Sequence, residues 1–261
     1  MRRSSLYGLL AAAVLLAGCS NAPQMTGGPL PASRAPLSGT LTVFAASSLT
    51  GVFDTLGKQL TAANPALHVR FNFAGSSALA TQLTQGAPAD VFAAASQKTM
   101  APVTDAKLTE GAPAVFTENE LEIAVPKGNP GHVTGLADFA KPRLKLAICA
   151  PSVPCGAAAA TVFAAAGVTA KPDSLEEDVK AALTKVSLGE VDAALVYTTD
   201  VRAAGGQVQG IPFPEAGQAV NTYPICVLSA APDKAAARAF VDLVRSARGQ
   251  AALKAAGFRT P

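Results

Sequence analysis

The sequence predicts an α/β protein of two lobes, on three observations. Short apolar runs alternate with helical patterns from residue 40 to the end, the rhythm of a mostly parallel sheet flanked by helices. The stretch that carries this rhythm, 40–261, is long enough for two compact units that each bury a core. Small and hydroxyl-bearing residues gather where strands give way to helices, and there open α/β sheets hold their ligands.

The elements follow in order along the chain. Residues 1–18 carry Arg2, Arg3 and an apolar run from Leu6 to Leu16, with small residues before Cys19, the pattern of an export signal. The run falls short of the about 20 apolar residues that a permanent membrane helix needs. The ending "LAGC" is similar to a lipobox, so 1–18 is expected to be a lipoprotein signal peptide and Cys19 the acylated first residue of the mature chain. An ordinary cleaved signal with an incidental cysteine is the alternative. Residues 19–39, rich in proline and glycine and without apolar periodicity, read as a flexible, lipid-anchored tether. This places the protein outside the cytoplasm, on the outer face of the cell membrane or in the periplasm.

"TLTVFAA" (40–46) is a β-rich run, followed by a helix whose Leu49, Val52, Phe53, Leu56 and Leu60 share one face. In "LHVRFNF" (67–73), Leu67, Val69, Phe71 and Phe73 alternate with His68, Arg70 and Asn72, as in a half-buried strand. Gly75, Ser76 and Ser77 open the next helix. Strands follow at "ADVFAAAS" (89–96), "LEIAVP" (121–126) and "LKLAIC" (144–149), then an alanine-rich helix after Gly156 and a helix near 176–188. "VDAALVY" (191–197) and "TYPICVL" (222–228) are the last strands, and two helices close the chain at "GF".

Composition narrows the ligand. The net charge is +3 with lysine and arginine scattered, so no basic footprint for nucleic acid is present. Aromatic residues make up 5% and tryptophan is absent, which argues against sugars or bases held by stacking. The expected ligand is small and polar.

Four strand-to-helix turns can present N–H donors to an anion: Ala46-Ser47-Ser48, Gly75-Ser76-Ser77, "SVPCGAA" (152–158) and "EEDVK" (176–180). For any single one, a serine that merely caps its helix explains the pattern as well.

The segments "TVFAASSLT", "FAGSSALATQL", "GAPADVF", "VPCG", "EDV" and "LVYTTD", in that order, resemble those of bacterial molybdate-binding proteins, the ModA family of periplasmic-type binding proteins. The resemblance covers nearly all of 40–261. It implies a type II periplasmic-binding-protein fold, two α/β lobes with a ligand cleft between them: lobe I from 40–120 plus 227–261, lobe II from 121–226, with "LEIAVP" and "TYPICVL" as the crossover strands. It implies that Ser48 and Ser76 offer hydroxyl donors, Cys155 and Val179 backbone N–H groups, and Tyr197 a hydroxyl that closes the cage. The ligand implied is molybdate or tungstate, with no cofactor and no direct protein ligation of metal, since molybdenum arrives as the oxyanion. The partners implied are an ABC permease and its ATPase, with the binding protein a monomer tethered through Cys19.

The residue types fit that implication. A dianion without a proton needs donors only, and hydroxyls and backbone N–H groups supply them, whereas protonated phosphate gains from an acceptor such as aspartate. None occupies the five positions, although Asp178 stands beside Val179. Oriented dipoles can replace counter-charges, so the absence of Lys and Arg is no obstacle. Sulfate, also unprotonated, would have to be excluded by size.

Cys149, Cys155 and Cys226 remain beyond Cys19, an odd number for an oxidising compartment. A disulfide between Cys149 and Cys155 around "APSVP", one between Cys149 and Cys226, and three buried thiols all stay open. His68 and His132 have no metal-ligand spacing to the cysteines. An envelope serine hydrolase is the rival from another class, but no G-x-S-x-G is present, and no P-loop for ATP hydrolysis. The chain is therefore expected to be a binder and not an enzyme. An amino-acid site would want an Arg and an Asp that the turns do not supply, and sulfate is the nearest alternative ligand.

Overall fold

The computed structural model describes residues 36–261. The expected signal peptide, Cys19 and almost all of the expected tether lie outside these residues.

The chain runs β1 (Gly39–Ala46), a 3-10 turn at Ser47–Leu49, α1 (Thr50–Ala63), β2 (Leu67–Ala74), α2 (Ser76–Thr84), β3 (Val91–Ala93), α3 (Gln97–Asp105) and β4 (Ala114–Asn119). It continues with β5 (Leu121–Pro126), β6 (Leu146–Cys149), α4 (Pro154–Ala165), β7 (Ser174–Glu176), α5 (Val179–Ser187), β8 (Ala193–Tyr197), α6 (Thr198–Ala204) and β9 (Val208–Ile211). Finally come β10 (Asn221–Val227), α7 (Lys234–Arg245) and α8 (Ala247–Ala256).

Two mixed five-stranded sheets result, in the orders β2-β1-β3-β10-β4 and β7-β6-β8-β5-β9. In the first, β1 lies parallel to β2 and β3, and β10 runs antiparallel to β3 and β4. In the second, β6 lies parallel to β7 and β8, and β5 runs antiparallel to β8 and β9. Each sheet thus has three neighbouring parallel strands, one reversed strand beside them and a fifth beyond it that runs with the first three, and each carries helices over its own apolar core. In the first lobe Phe53 sits edge-on to Phe240 at 5.3 Å between ring centres, joining α1 to α7. The architecture is the expected pair of α/β lobes.

One boundary differs from the expectation. The resemblance puts residues 221–226 in lobe II, yet Asn221–Ile225 pairs with β4, and Ile225–Val227 with β3, so all of β10 belongs to the first sheet. The ladder hydrogen bonds of a central strand decide its sheet, and a motif boundary does not reveal them. Pro224 sits in this central strand at an irregularity, where the register shifts between Tyr223 and Pro224.

Several elements went unrecognised. β4 has a half-buried, charged sequence, β7 and β9 are only three and four residues long, and α3 contains Pro102. The alanine-rich helix starts at Pro154 rather than after Gly156, with proline in the first turn where its missing N–H costs nothing. The helix expected near 176 begins at Val179, because Ser174–Glu176 pairs with β6 first.

Candidate functional site

The parallel strands of both sheets end toward one cleft. From β1 and β2 the chain turns into Ser47–Leu49 and α2, and from β6, β7 and β8 into α4, α5 and α6. Five segments therefore aim helical N-termini, with unpaired N–H groups and positive dipole ends, at a common space. Ser48 and Ser76 from the first lobe and Cys155, Val179 and Tyr197 from the second all line one cavity, and all five are buried. The cavity is small, about 10 Å³ counted by the centres of a water-sized sphere. That room is close to a single water molecule's and excludes a sugar or nucleotide.

The serines do not cap their helices. The cap positions are Ala46 and Gly75, and neither makes a side-chain cap bond. Ser76 Oγ instead accepts the backbone N–H of Ala95 at 2.9 Å, which leaves its own proton free to point into the cavity. Ser48 Oγ lies 3.0 Å from Tyr223 Oη.

In α4, Val153 holds the cap position without a side-chain bond and Pro154 has no N–H, so Cys155 contributes the first free amide of that helix. Cys155 is joined to Cys149 at the end of β6 by a disulfide. The loop between them folds tightly over the helix start, since a Cβ on Gly156 would lie 1.9 Å from the Ala150 carbonyl oxygen. Among the described residues Cys226 is the free thiol, buried, with its pKa pushed up to about 12 by burial.

Asp178 lines the cavity but is turned to other work. One carboxylate oxygen accepts the N–H groups of Lys180 at 2.7 Å and Ala181 at 3.1 Å, leaving the Val179 N–H for the cavity. The nearby cation is also engaged: Lys180 Nζ pairs with the fully buried Asp200 at 2.9 Å. Burial raises the pKa of Asp200, and Lys180 and the Tyr197 N–H oppose that rise.

Tyr197 ends β8 and holds the cap position of α6, donating its backbone N–H to the Asp200 carboxylate at 3.1 Å. Its side chain is 1% exposed, and its hydroxyl has no hydrogen-bond partner among the described residues. Burial, with smaller contributions from Tyr223 and Asp200, holds this phenol well above its usual pKa, so it stays a neutral O–H donor.

Three further polar residues support this site and were not singled out from sequence: Asn119 at the end of β4, and Asn221 and Tyr223 on β10. All are buried. The one available signal was the alternation of Asn221 and Tyr223 on the same face of an otherwise apolar strand. Neither histidine lines the cavity, and both are exposed. Among the described residues no group of three or more His, Cys, Asp or Glu is placed to hold a metal, and no helix is long and apolar enough to cross a membrane.

Comparison with known proteins agrees with this geometry. Residues 41–259 match the family model for bacterial extracellular solute-binding proteins. The molybdate-binding protein ModA of Mycobacterium tuberculosis is 42% identical over 266 residues, spanning 100% of both chains. The periplasmic molybdate-binding protein of Azotobacter vinelandii superposes with a TM-score of 0.74 at 22% identity, over 85% of this chain and 99% of that one. The sulfate-binding protein SubI of Mycobacterium tuberculosis shares the fold at a TM-score of 0.69 and 16% identity, over 85% of this chain and 86% of that one. On the matched length and identity, the chain belongs to the bacterial extracellular solute-binding proteins, in the ModA family.

Proposed function

We propose that this protein is the extracytoplasmic binding component of an ABC importer and that it captures molybdate, and tungstate with it, between its two lobes. The observation that carries the reading is the buried Tyr197 hydroxyl, which lines the cavity and has no partner of its own. A buried donor left unmade costs about 1–3 kcal/mol, so its natural complement is a ligand oxygen. Around it the Ser48 and Ser76 hydroxyls and the Cys155 and Val179 N–H groups complete a set of donors, while one carboxylate oxygen of Asp178 is engaged by its own helix. Such a set suits a tetrahedral dianion that brings no proton.

The ligand touches both lobes, so it stabilises the closed form, and closure is what a permease and its ATPase would read. The serines at the cavity are paired with a backbone N–H and a tyrosine hydroxyl, not with a histidine, which supports binding without chemistry. Acylation at Cys19 would hold the protein at the membrane as a monomer beside its transporter.

A thermal-shift titration of a protein starting at Ser38 tests the reading. Molybdate and tungstate should raise the unfolding midpoint, since they bind only the native state, while phosphate should not. A rise with sulfate alone would reassign the ligand, and no rise with any oxyanion would overturn the proposal.

A further inference from the structure

We propose that Tyr223, held by Asn119, fixes the direction of the Ser48 proton and thereby makes Ser48 a donor only, so that the cavity rejects protonated oxyanions. This rests on the molybdate reading above and adds to it a positioning residue for selectivity.

The argument starts at Asn119. A backbone N–H can only donate, so the side-chain oxygen of Asn119 is the atom that faces Glu120 N at 3.1 Å, and it also accepts the Thr198 hydroxyl at 3.2 Å. The amide nitrogen must then face the other way. It donates to Thr199 Oγ1 at 2.8 Å and approaches Tyr223 Oη at 3.5 Å. Tyr223 thus meets a donor face at Asn119 and cannot give its proton there. Its remaining surroundings are the rings of Phe116, Tyr197 and Phe258, all in edge contact, and the Tyr197 hydroxyl, which faces it as a donor. Ser48 Oγ, at 3.0 Å, is the acceptor that remains for the Tyr223 proton.

The consequence falls on Ser48. An oxygen that receives a proton from Tyr223 must send its own elsewhere, and the open direction is the cavity. Ser76 is set in the same sense by a backbone N–H, that of Ala95, whose carbonyl in turn accepts from Asn221. Both hydroxyls are therefore polarised outward by donors behind them. Hydrogen phosphate would bring its P–O–H against hydroxyl protons that already point inward, whereas molybdate presents acceptors everywhere. Ser48 differs from Ser76 in that its ordering donor is a side chain, which a substitution can remove.

Tyr223→Phe keeps the ring and its contacts and removes only the donated proton. Isothermal titration with molybdate, phosphate and arsenate, on the wild type, Tyr223→Phe, Ser48→Ala and the double variant, tests the inference. Tyr223→Phe should bind molybdate about tenfold more weakly. It should also gain phosphate and arsenate binding that fades as rising pH strips the anion's proton. Ser48→Ala should lose molybdate affinity without that gain, and the double variant should match Ser48→Ala, because Tyr223 acts through Ser48. Asn119→Asp, which replaces the donor face with an acceptor, should reproduce the relaxed selectivity.

Unaltered ligand preference in Tyr223→Phe, or additive losses in the double variant, would overturn the inference while leaving molybdate capture intact. A wild type that binds no molybdate, or binds phosphate equally well, would overturn the underlying reading as well.

Discussion

Tyr197 gives its backbone N–H to the Asp200 carboxylate at 3.1 Å, while the hydroxyl of the same residue reaches the cavity with no partner. The main chain is anchored and the side chain is unsatisfied. A ligand oxygen would supply the acceptor this hydroxyl lacks, so the hydroxyl should favour the bound protein over the ligand-free one.

Tyr197→Phe should therefore act in opposite directions on two measurements. Molybdate affinity should fall about tenfold to a hundredfold, the worth of one donor to a charged acceptor. The unfolding midpoint of the ligand-free protein should hold or rise, because a buried, unpaired polar group has been removed. Titration calorimetry and thermal denaturation of the same preparation separate the two effects, and a drop in both would mean that the hydroxyl has a structural partner.

The Cys149–Cys155 disulfide fastens the end of β6 to the start of α4, directly behind the Cys155 N–H. Closing so short a loop stabilises by about 2 kcal/mol in the chain-entropy account. Replacing both cysteines with serine should cost about that much in denaturant unfolding. It should also weaken molybdate binding, since the backbone donor is no longer held. Reduction of the wild type should reproduce both losses, and an affinity that survives reduction would separate the bridge from the site.

What the sequence conveyed about this site follows from where each residue stands. Ser48, Ser76, Cys155, Val179 and Tyr197 occupy turns after strands, where local motifs mark both the backbone change and the chemistry, and the structure brings all five round one cavity. Tyr223 and Asn119 stand within or at the end of strands, and their importance comes from pairing across 104 positions of sequence, which no local pattern encodes. The cysteine pairing was open among several partners because connectivity depends on spatial approach. The lobe boundary at β10 shifted for a similar reason, since a strand's neighbours are set by ladder pairing. The two-lobe α/β plan was legible because each parallel strand and its following helix carries its own hydrophobic period.

Asp138 supplies a pH dependence far from the cleft. It stands in the 3-10 turn Leu136–Ala140, accepts the Thr134 N–H at 2.5 Å and the Thr134 hydroxyl at 3.0 Å, and pairs with Lys141. Burial pushes its pKa up, but Lys141 and the two Thr134 bonds outweigh that and hold it at about 2, below the ordinary 3.8. A lowered folded-state pKa contributes stability that is present above the ordinary value and lost as pH falls through the folded one. The wild type should lose stability from this group on acidification across that window, by less than the full shift would give because the exposed Lys141 is screened by solvent. Asp138→Asn should be less stable at neutral pH and should show a shallower acid decline, measurable by urea unfolding at a series of pH values.

Gly75 marks a close approach between the lobes. It precedes α2 in the first lobe, and a Cβ built there would lie 2.3 Å from the carbonyl oxygen of Glu177 in the second, with Val153 Cγ1 at 3.4 Å. Its backbone, at φ −59 and ψ 132, is open to any residue, so only this interlobe contact requires glycine. Gly75→Ala should thus leave each lobe's folding intact and hold the lobes apart. An overlap with backbone cannot be relieved by a side-chain rotation. The expected result is a ligand-free midpoint near that of the wild type, molybdate affinity reduced at least about tenfold, and X-ray scattering that stays expanded when molybdate is added. Compaction equal to the wild type would mean that the closed form tolerates a methyl group there, and that the ligand donors close on molybdate without Gly75 and Glu177 in contact.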